Sequence, residues 1–503
     1  MIDLERMKLN KFQRMGLSIK DFFCNIPQKF KKLFTEKVPA LGNKFKKVVS
    51  KEATLYKSVV KDGDWKTKLS SLIMGFGQFT RGQVLRGLMY LGFEIVFILY
   101  MVLFGWKYLS LLGSLGVVES YEVWDDATQL FITVYGDNSM LILLYSCLTI
   151  FVIASFILTW RANLKDNITS QLMCDIGHKP ETNKDDVNKL INKQFHKTLL
   201  AVPTLGLFAF TIMPLLFMVL IAFTNYDRLH LPPKDLFDWV GLQNFFTLFG
   251  GQSEITSELF FFTFRQILLW TFIWAIFATF SNYFLGMLVA IIINKKGIKF
   301  KKLWRSILIF TVAVPSFVSL LLMSQVFADE GILNVLLRKF NIISQNIPWL
   351  NNTTLARITI ILVNIWIGIP YTMLICTGIL MNIPADLYES AKIDGASPVR
   401  MYLRITLPYM LFVTGPYLIS AFVGNLNNFN VIFLLSGGAP GNLNYQFAGT
   451  TDLLITWLYK LTVNESNFKL ASVIGIVVFA ISAIISLIFY SRSSSVKNEG
   501  DFQ

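Results

Sequence analysis

The sequence predicts an all-α polytopic membrane protein with eight transmembrane helices and both termini in the cytoplasm. Of its 503 residues, 54% are hydrophobic and 16% are charged, whereas soluble proteins average about 25% charged residues. A membrane helix needs about 20 mostly apolar residues to cross roughly 30 Å of hydrocarbon. The stretches that meet this requirement are 84–106, 140–160, 203–224, 266–293, 306–328, 358–381, 408–436 and 470–490.

The distribution of lysine and arginine predicts the orientation. These residues are concentrated in residues 1–83 and 161–198, and they are sparse in the loops that would face the opposite side. Cytoplasmic flanks carry the excess of Lys and Arg in membrane proteins. We therefore expect the N-terminus and the loop at 382–408 to be cytoplasmic. This orientation explains the net charge of +14 without a nucleic-acid partner.

Composition divides the chain into segments. Residues 1–69 form a basic cytoplasmic segment, which suits either a helix lying on anionic membrane lipid or a solvated tail. Two accessory transmembrane helices with a cytoplasmic loop occupy 70–199, the main transmembrane core occupies 200–495, and 496–503 is a cytoplasmic tail. Glu94 lies within the first span, where an acid serves either a function or a hydrogen bond that packs helices.

The cytoplasmic stretch Glu389–Pro408, ESAKIDGASPVRMYLRITLP, predicts two short amphipathic helices. Gly395 would end the first, because glycine adopts the left-handed closing conformation cheaply. Ser397 is a candidate N-cap for the second, which should end before Pro408. A helix–turn–helix held at both ends by transmembrane helices is suited to passing force from a partner to those helices. Without a partner it would be an ordinary loop.

Polar residues within the spans indicate an internal polar site. Asn425 and Asn428 lie three apart in the seventh span, on one predicted helical face. Unpaired amides cost several kcal/mol in hydrocarbon, so these side chains must face protein or a wet cavity. Carboxamides donate and accept hydrogen bonds, which suits sugar hydroxyls; alternatively, they hold helices together. In the sixth span, Gly368 allows close approach and Tyr371 offers an aromatic face.

The cytoplasmic stretch resembles the EAA loop of ABC importer permeases, which docks into a groove on the ATPase subunit. The resemblance rests on Glu389–Ser390–Ala391, Asp394–Gly395–Ala396 and Ile405–Thr406–Leu407–Pro408, with Ser390 where the family usually has alanine. The wider chain is similar to the MalF-type permeases of maltose and maltodextrin importers. This similarity is carried by FTNYD at 223–227, VNIWIGIPY at 363–371, NLNNF at 425–429 and AGTTDLL at 448–454.

The resemblance implies a type I ABC importer (MetI-like) permease core at 200–495. It also implies import of malto-oligosaccharides, with another oligosaccharide as the alternative. The implied ATPase-coupling residues are Glu389, Ser390, Ala391, Asp394, Gly395 and Ala396. The implied substrate contacts are Ile367, Gly368, Tyr371, Ala421, Gly424, Asn425 and Asn428. Enterobacterial relatives have an aromatic residue at the position of Gly424, so the glycine implies a roomier pocket.

The implied partners are a second, MalG-type permease, two copies of a MalK-type ATPase and an extracellular MalE-type sugar-binding lipoprotein. The implied location is a bacterial plasma membrane of Gram-positive type. The chain contains no GxxxxGK[ST] motif, so we expect ATP on the ATPase subunit, and no cofactor, metal or catalytic residue in this chain.

Two other classes of protein fit the sequence less well. An ion-coupled secondary transporter needs paired intramembrane acids or histidines, and within the spans only Glu94 is available. A membrane scaffold or sensor would need no asparagine cluster. Both alternatives leave the helical cytoplasmic loop without a purpose.

Overall fold

The computed structural model describes residues 54, 56–178, 180–251, 255–295 and 297–492. Most of the predicted basic segment 1–69 and all of the tail 496–503 lie outside these residues. The described chain is mainly helical, and its strands form a two-stranded antiparallel sheet.

The helices of the N-terminal part are α1 Trp65–Leu69, α2 Phe76–Thr80, α3 Val84–Leu111, α4 Ser139–Asp175, α5 Asn183–Asn188 and α6 Phe195–Ile221. Strands β1 Tyr121–Asp125 and β2 Leu130–Val134 form a hairpin between α3 and α4. The central helices are α7 Gln243–Phe249, α8 Ile255–Asn294, α9 Lys301–Ala313, α10 Ser316–Val326, α11 Ile332–Lys339 and α12 Thr353–Leu380. The C-terminal helices are α13 Ala385–Ile393, α14 Pro398–Leu426, α15 Phe429–Leu435, α16 Leu454–Val463 and α17 Phe468–Arg492. Helices α3, α6 and α14 contain the π turns Met101–Gly105, Phe208–Ile212 and Tyr402–Thr406.

The transmembrane prediction is confirmed in number and position. Within the described part of the chain, seven helices are long and apolar enough to cross a membrane, or eight if α9 and α10 together form one span. Every stretch proposed from the sequence coincides with one of these helices or with the α9–α10 pair. The protein is therefore an all-α polytopic membrane protein.

The fifth predicted span, 306–328, is sharply bent. Helices α9 and α10 meet at an angle of 89°. Val314 between them is extended, with ψ at 125°, and Pro315 follows. A proline disfavours the helical conformation of the residue before it and has no N–H to donate. The helix consequently stops at Ala313 and restarts at Ser316.

The chain forms two compact units. The first comprises the residues up to Ser110 together with Tyr145–Ala209, and the second comprises Leu111–Leu144 together with the chain from Phe210 onward. In the first unit, Glu94 accepts a hydrogen bond from the backbone N–H of Met74 at 2.8 Å. Of the two roles considered for this acid, the structure therefore shows the packing hydrogen bond.

The core of the second unit is built on the contact between α8 and α12. Trp274 and Tyr283 of α8 are fully buried. A Cβ atom at Gly286 would lie 2.0 Å from Thr372 Oγ1 of α12, so the two backbones can approach this closely only with glycine at that position. This close pairing positions the polar residues of the candidate site.

A charged cluster connects the segment after α6 to the start of α17. Lys469 Nζ lies 2.6 Å from Asp227 Oδ2, and His230 Nδ1 lies 2.8 Å from Asp227 Oδ1. The ring of Tyr226 stacks on Phe468 with centroids 4.3 Å apart. Two segments more than two hundred residues apart in sequence are thus joined by both charge and packing.

We expect Asp227→Asn to lower the unfolding temperature by a few degrees at pH 7. Burial alone raises the pKa of Asp227, but hydrogen bonds from Lys469 and His230 outweigh it and hold the pKa below its ordinary value. A lowered carboxyl pKa stabilises the folded state above about pH 4, and this contribution is lost as the pH falls through the folded-state pKa. Thermal unfolding in detergent at pH 7 and pH 3 measures the contribution of this carboxylate to stability. The difference in unfolding temperature between wild type and Asp227→Asn must be smaller at pH 3 than at pH 7. Asp235→Asn is the control, because it removes a nearby acid that has no side-chain partner among the described residues, and it should change the unfolding temperature little.

Candidate functional site

The asparagine pair lies at a break between two helices. Helix α14 ends at Leu426, well before residue 436, where the seventh span was predicted to end. Asn428 is the N-cap of α15, and its Oδ1 accepts a hydrogen bond from the Val431 N–H at 3.3 Å. The prediction that Asn425 and Asn428 share one helical face was therefore wrong. Asparagine side chains compete for backbone groups, which favours helix caps over helix interiors.

Asn425 is the centre of a hydrogen-bonded group that joins α14 to α8. Its Nδ2 donates to Thr279 Oγ1 at 3.0 Å, and its Oδ1 accepts from Asn428 Nδ2 at 3.2 Å. The Trp274 indole N–H donates to its backbone carbonyl at 3.1 Å. A carboxamide has two donor hydrogens and two acceptor lone pairs. Asn425 therefore contributes to packing and still has capacity for a ligand.

Helix α12 contributes the predicted residues Ile367, Gly368 and Tyr371. Ile367 and Gly368 are half-buried. A Cβ atom at Gly368 would lie 2.4 Å from Asn282 Nδ2 of α8, which confirms the predicted close approach at this glycine. Asn282 Oδ1 is buried without a hydrogen-bond partner among the described residues, and so is Asn364 Nδ2 one turn earlier on α12. Polar groups left unpaired in the membrane are costly, so these two amides make the α8–α12 interface a candidate site.

A tyrosine pair, with Tyr371 exposed and Tyr417 half-buried, lies beside this interface. Tyr371 is 53% exposed, and its ring centroid lies 6.5 Å from that of Tyr417 on α14. Ala421 follows Tyr417 by one helical turn and is half-buried. Gly424 is exposed, and a Cβ atom there would meet nothing within 4 Å. The predicted contact residues of α12 and α14 thus border open space, with room at position 424 for a larger group.

A buried ion pair supports the segment after α15. Asp452 accepts hydrogen bonds from Lys460 Nζ at 2.6 Å and from the Gly449 N–H at 2.7 Å. Burial raises the pKa of Asp452, and the nearby ammonium opposes this effect without reversing it. Removing one partner of a buried pair leaves the other charge uncompensated. The pair therefore fixes the loop that carries the AGTTDLL motif.

The predicted coupling loop forms the expected first helix and turn. Helix α13 ends at Ile393 with Asp394 as its C-cap, and Gly395 follows at φ +72°, the left-handed conformation expected of it. The Ala396 N–H donates to the Ala391 carbonyl at 2.9 Å, and Ser397 caps the next helix by accepting from the Arg400 N–H at 3.3 Å. The turn is thus held by hydrogen bonds within the loop itself, and no partner protein is required to form it.

The second helix of the loop does not stop before Pro408. Helix α14 continues from Pro398 to Leu426 as one candidate span. The π turn Tyr402–Thr406 precedes Pro408, which occupies the first turn of the α-helical segment that follows. A proline is tolerated there because the N–H groups of a first turn have no acceptor within the helix, so the missing N–H of proline costs no hydrogen bond. The coupling loop is therefore continuous with the helix that carries Asn425.

The surface of the loop is available to a partner. Glu389, Ser390, Asp394 and Gly395 are exposed, and Ala391 and Ala396 are half-buried. Within the described chain, the Glu389 carboxylate has no hydrogen-bond or ion-pair partner. Ile393 is 87% exposed and Val399 67% exposed. Tyr388 Oη lies 2.8 Å from Thr406 Oγ1, so α13 is attached to the base of α14 by a hydrogen bond.

Comparison with known proteins identifies the family. The model of the family "Binding-protein-dependent transport system inner membrane component" matches residues 282–495. The galactooligosaccharides transport system permease protein GanP of Bacillus subtilis (strain 168) is 34% identical over 434 residues, which cover 86% of this chain and 98% of that protein. The chain belongs to the binding-protein-dependent ABC transporter permeases.

Two further proteins show similarity to the chain. The maltodextrin transport system permease protein MalC of Streptococcus pneumoniae serotype 4 is 35% identical over 437 residues, covering 85% of this permease and 95% of that protein. A crystal structure of a bacterial ABC transporter involved in the import of alginate matches with a TM-score of 0.48 and 22% identity, covering 61% of this permease and 98% of that chain.

Family membership settles several of the predictions. The permease is a transport subunit rather than an enzyme, and it is a multi-pass protein of the cell membrane. The family match spans both the coupling loop and the asparagine pair. The roles predicted for individual residues, and the segment boundaries at 69, 199 and 495, stay predictions.

Some residues of this region escaped the sequence analysis. Tyr417 could have been found, because it lies one turn before Ala421 on the same predicted helix face. Thr279, Asn282 and Trp274 lie in a different span, and their proximity depends on how α8 packs against α12 and α14. No spacing in the sequence reports that packing.

Proposed function

We propose that this permease is one of the two membrane subunits of an ABC importer for neutral oligosaccharides. The observation that carries the proposal is the Tyr371–Tyr417 ring pair, together with the amide of Asn425 on the helix that also carries Tyr417. Phenol rings offer flat apolar surfaces, and the amide and hydroxyl groups donate and accept hydrogen bonds, which is what a polyhydroxylated ring requires. The full-length similarity to the GanP and MalC permeases supports it.

Malto-oligosaccharides are the first candidate substrate, and galactooligosaccharides are the second. The relative named for maltodextrin and the relative named for galactooligosaccharides are similar to this chain to nearly the same degree. The sequence motifs resemble the MalF type, which favours maltodextrin. Open space at Gly424 would accommodate a wide or branched sugar, since no side chain fills that position.

Transport would depend on partners that this chain does not contain. We place both termini and the coupling loop in the cytoplasm, on the basis of the lysine and arginine distribution. A MalG-type permease would complete the transport cavity, two MalK-type ATPase subunits would bind ATP, and a MalE-type lipoprotein would deliver sugar from outside. Closure of the ATPase pair would act on Glu389 and the exposed apolar side chains of α13 and α14.

Deleting this chain is expected to abolish uptake of labelled maltotriose by intact cells. The uptake of labelled raffinose and galactotriose, measured in the same strain, distinguishes substrate classes. A plasmid that carries the wild-type gene must restore the sugar uptake that the deletion abolishes. If maltotriose uptake is unchanged, the maltodextrin assignment is wrong; if galactotriose uptake alone is lost, the galactooligosaccharide candidate replaces it.

A further inference from the structure

A second cleft lies away from the transport face, between the β1–β2 hairpin and residues 229–236. Its volume is about 460 Å³, within the roughly 300–1,000 Å³ that small-molecule sites occupy. We call it the external cleft, because the proposed orientation places both of its walls outside the cell. The side chains that carry the argument are those of Tyr135, Glu119, Glu122, Lys234 and Asp235.

The two walls of the external cleft are fixed to each other. Ser120 Oγ donates to the Lys234 backbone carbonyl at 2.5 Å. Near the foot of the hairpin, the Phe237 N–H donates to Ser139 Oγ at 3.2 Å, and the Trp239 indole donates to the Leu112 carbonyl at 2.9 Å. A cleft whose walls are already held in place loses little entropy when a ligand binds.

The second wall is also attached to the last transmembrane helix. Residues 226 and 227 precede this wall, and they contact Phe468 and Lys469 at the start of α17. Tyr226 additionally packs on Phe237 with ring centroids 4.8 Å apart. The external cleft is therefore part of the folded second unit rather than an isolated surface loop.

The polar groups of the external cleft are free to bind a ligand. Among the described residues, Glu119, Glu122, Lys234 and Asp235 make no side-chain hydrogen bond or ion pair. Tyr135 is 62% exposed. Carboxylates accept hydrogen bonds, an ammonium donates them and phenols do both. Hydroxyl groups, which donate and accept, can pair with each of these.

The charge of the external cleft restricts the ligand class. Three carboxylates face one lysine and the His230 imidazole, so an anionic sugar would be repelled. A metal ion does not fit either, since the described residues contain no group of three metal-ligating side chains close enough to hold one. The phenol ring of Tyr135 next to carboxylates instead matches a neutral saccharide, which has apolar ring faces and polar edges.

We infer that the external cleft is an accessory binding site for a neutral oligosaccharide on the outer surface of the permease. This inference rests on the proposed function, because it takes the transported class of sugar as the ligand. The cleft would hold a segment of the oligosaccharide outside the transport cavity. Longer oligosaccharides can occupy the transport cavity and the external cleft together, so their binding affinity increases most.

In the experiment, maltohexaose is titrated into the assembled importer in lipid nanodiscs and binding is measured by calorimetry. Galactotetraose is titrated in the same way as the second ligand. Tyr135→Ala is expected to raise the Kd of this site at least about tenfold, since a truncated aromatic anchor commonly costs that much. Phe131→Ala is the matched control. Phe131 is 67% exposed on the same hairpin but does not line the external cleft.

The outcomes separate the site from the fold and from the transport function. Unchanged binding in Tyr135→Ala overturns the inference, and so does equal weakening in Phe131→Ala, which would point to loss of the hairpin. Binding of neither sugar to the wild type also overturns it. Uptake by cells is a separate measurement: normal uptake with no cleft binding defeats only the external cleft, whereas absent uptake defeats the proposed function.

Discussion

Replacing Glu389 with lysine is expected to reduce sugar uptake at least about thirtyfold while the permease remains inserted in the membrane. Glu389 is exposed on α13 and, within the described chain, unpaired, so the change removes no internal contact. Losing one partner of a buried charge pair at an interface costs about 2 kcal/mol or more, which is a factor of about thirty. Uptake of labelled sugar and copurification of the ATPase measure the two effects.

Asp126→Lys is a matched control for Glu389→Lys. Asp126 is exposed in the turn of the β1–β2 hairpin, and its replacement makes the same change of charge on the opposite predicted side of the membrane. Uptake by this variant should be normal. A Glu389→Lys permease that copurifies with its ATPase and transports at the wild-type rate would show that the loop does not couple through this carboxylate.

Asn425→Ala is expected to lower sugar-stimulated ATP hydrolysis by about tenfold and to leave most of the complex assembled. The change removes the amide that is hydrogen-bonded to Asn428 and Thr279 and that is proposed to contact the sugar. A lost hydrogen bond to substrate, with its partner left unpaired, costs about 1–3 kcal/mol. Hydrolysis by the purified complex, with and without sugar-loaded binding protein, measures the loss.

Thr279→Val separates binding from packing at this position. It removes the acceptor of the 3.0 Å hydrogen bond from Asn425 Nδ2 and keeps both the asparagine and the side-chain volume. If Asn425 binds sugar, Thr279→Val should retain far more stimulated activity than Asn425→Ala. Equal losses of activity and of assembly in both variants would instead show that Asn425 holds α14 to α8.

The sequence predicted the spans well because each is a local property. About 20 apolar residues must form a helix in hydrocarbon wherever they lie in the fold. The turn at Gly395 was likewise predictable, since glycine, a serine cap and a following proline act within a few residues. The 89° bend after Ala313 could in principle be predicted from Pro315. A proline does not always break a helix, however, since Pro408 lies within one that continues.

The candidate site was predicted less completely because it depends on contacts between distant spans. Asn425 and Asn428 were found from their polarity, yet their placement at a helix break was not. The choice between continuing and breaking a helix at an asparagine is decided by capping bonds such as that to Val431. The Thr279 and Asn282 side chains reach the site only through the packing of α8, which no local pattern encodes.

The continuity of α14 has a consequence for how the permease moves. Its 29 residues extend about 43 Å at 1.5 Å per residue, with Pro398 at one end and Asn425 near the other. If this rod tilts by about 10° around its middle, each end is displaced by about 4 Å, in opposite directions. Motion of the end that bears Pro398 would then be passed to the amide along one continuous helix, to the extent that the π turn and Pro416 do not bend.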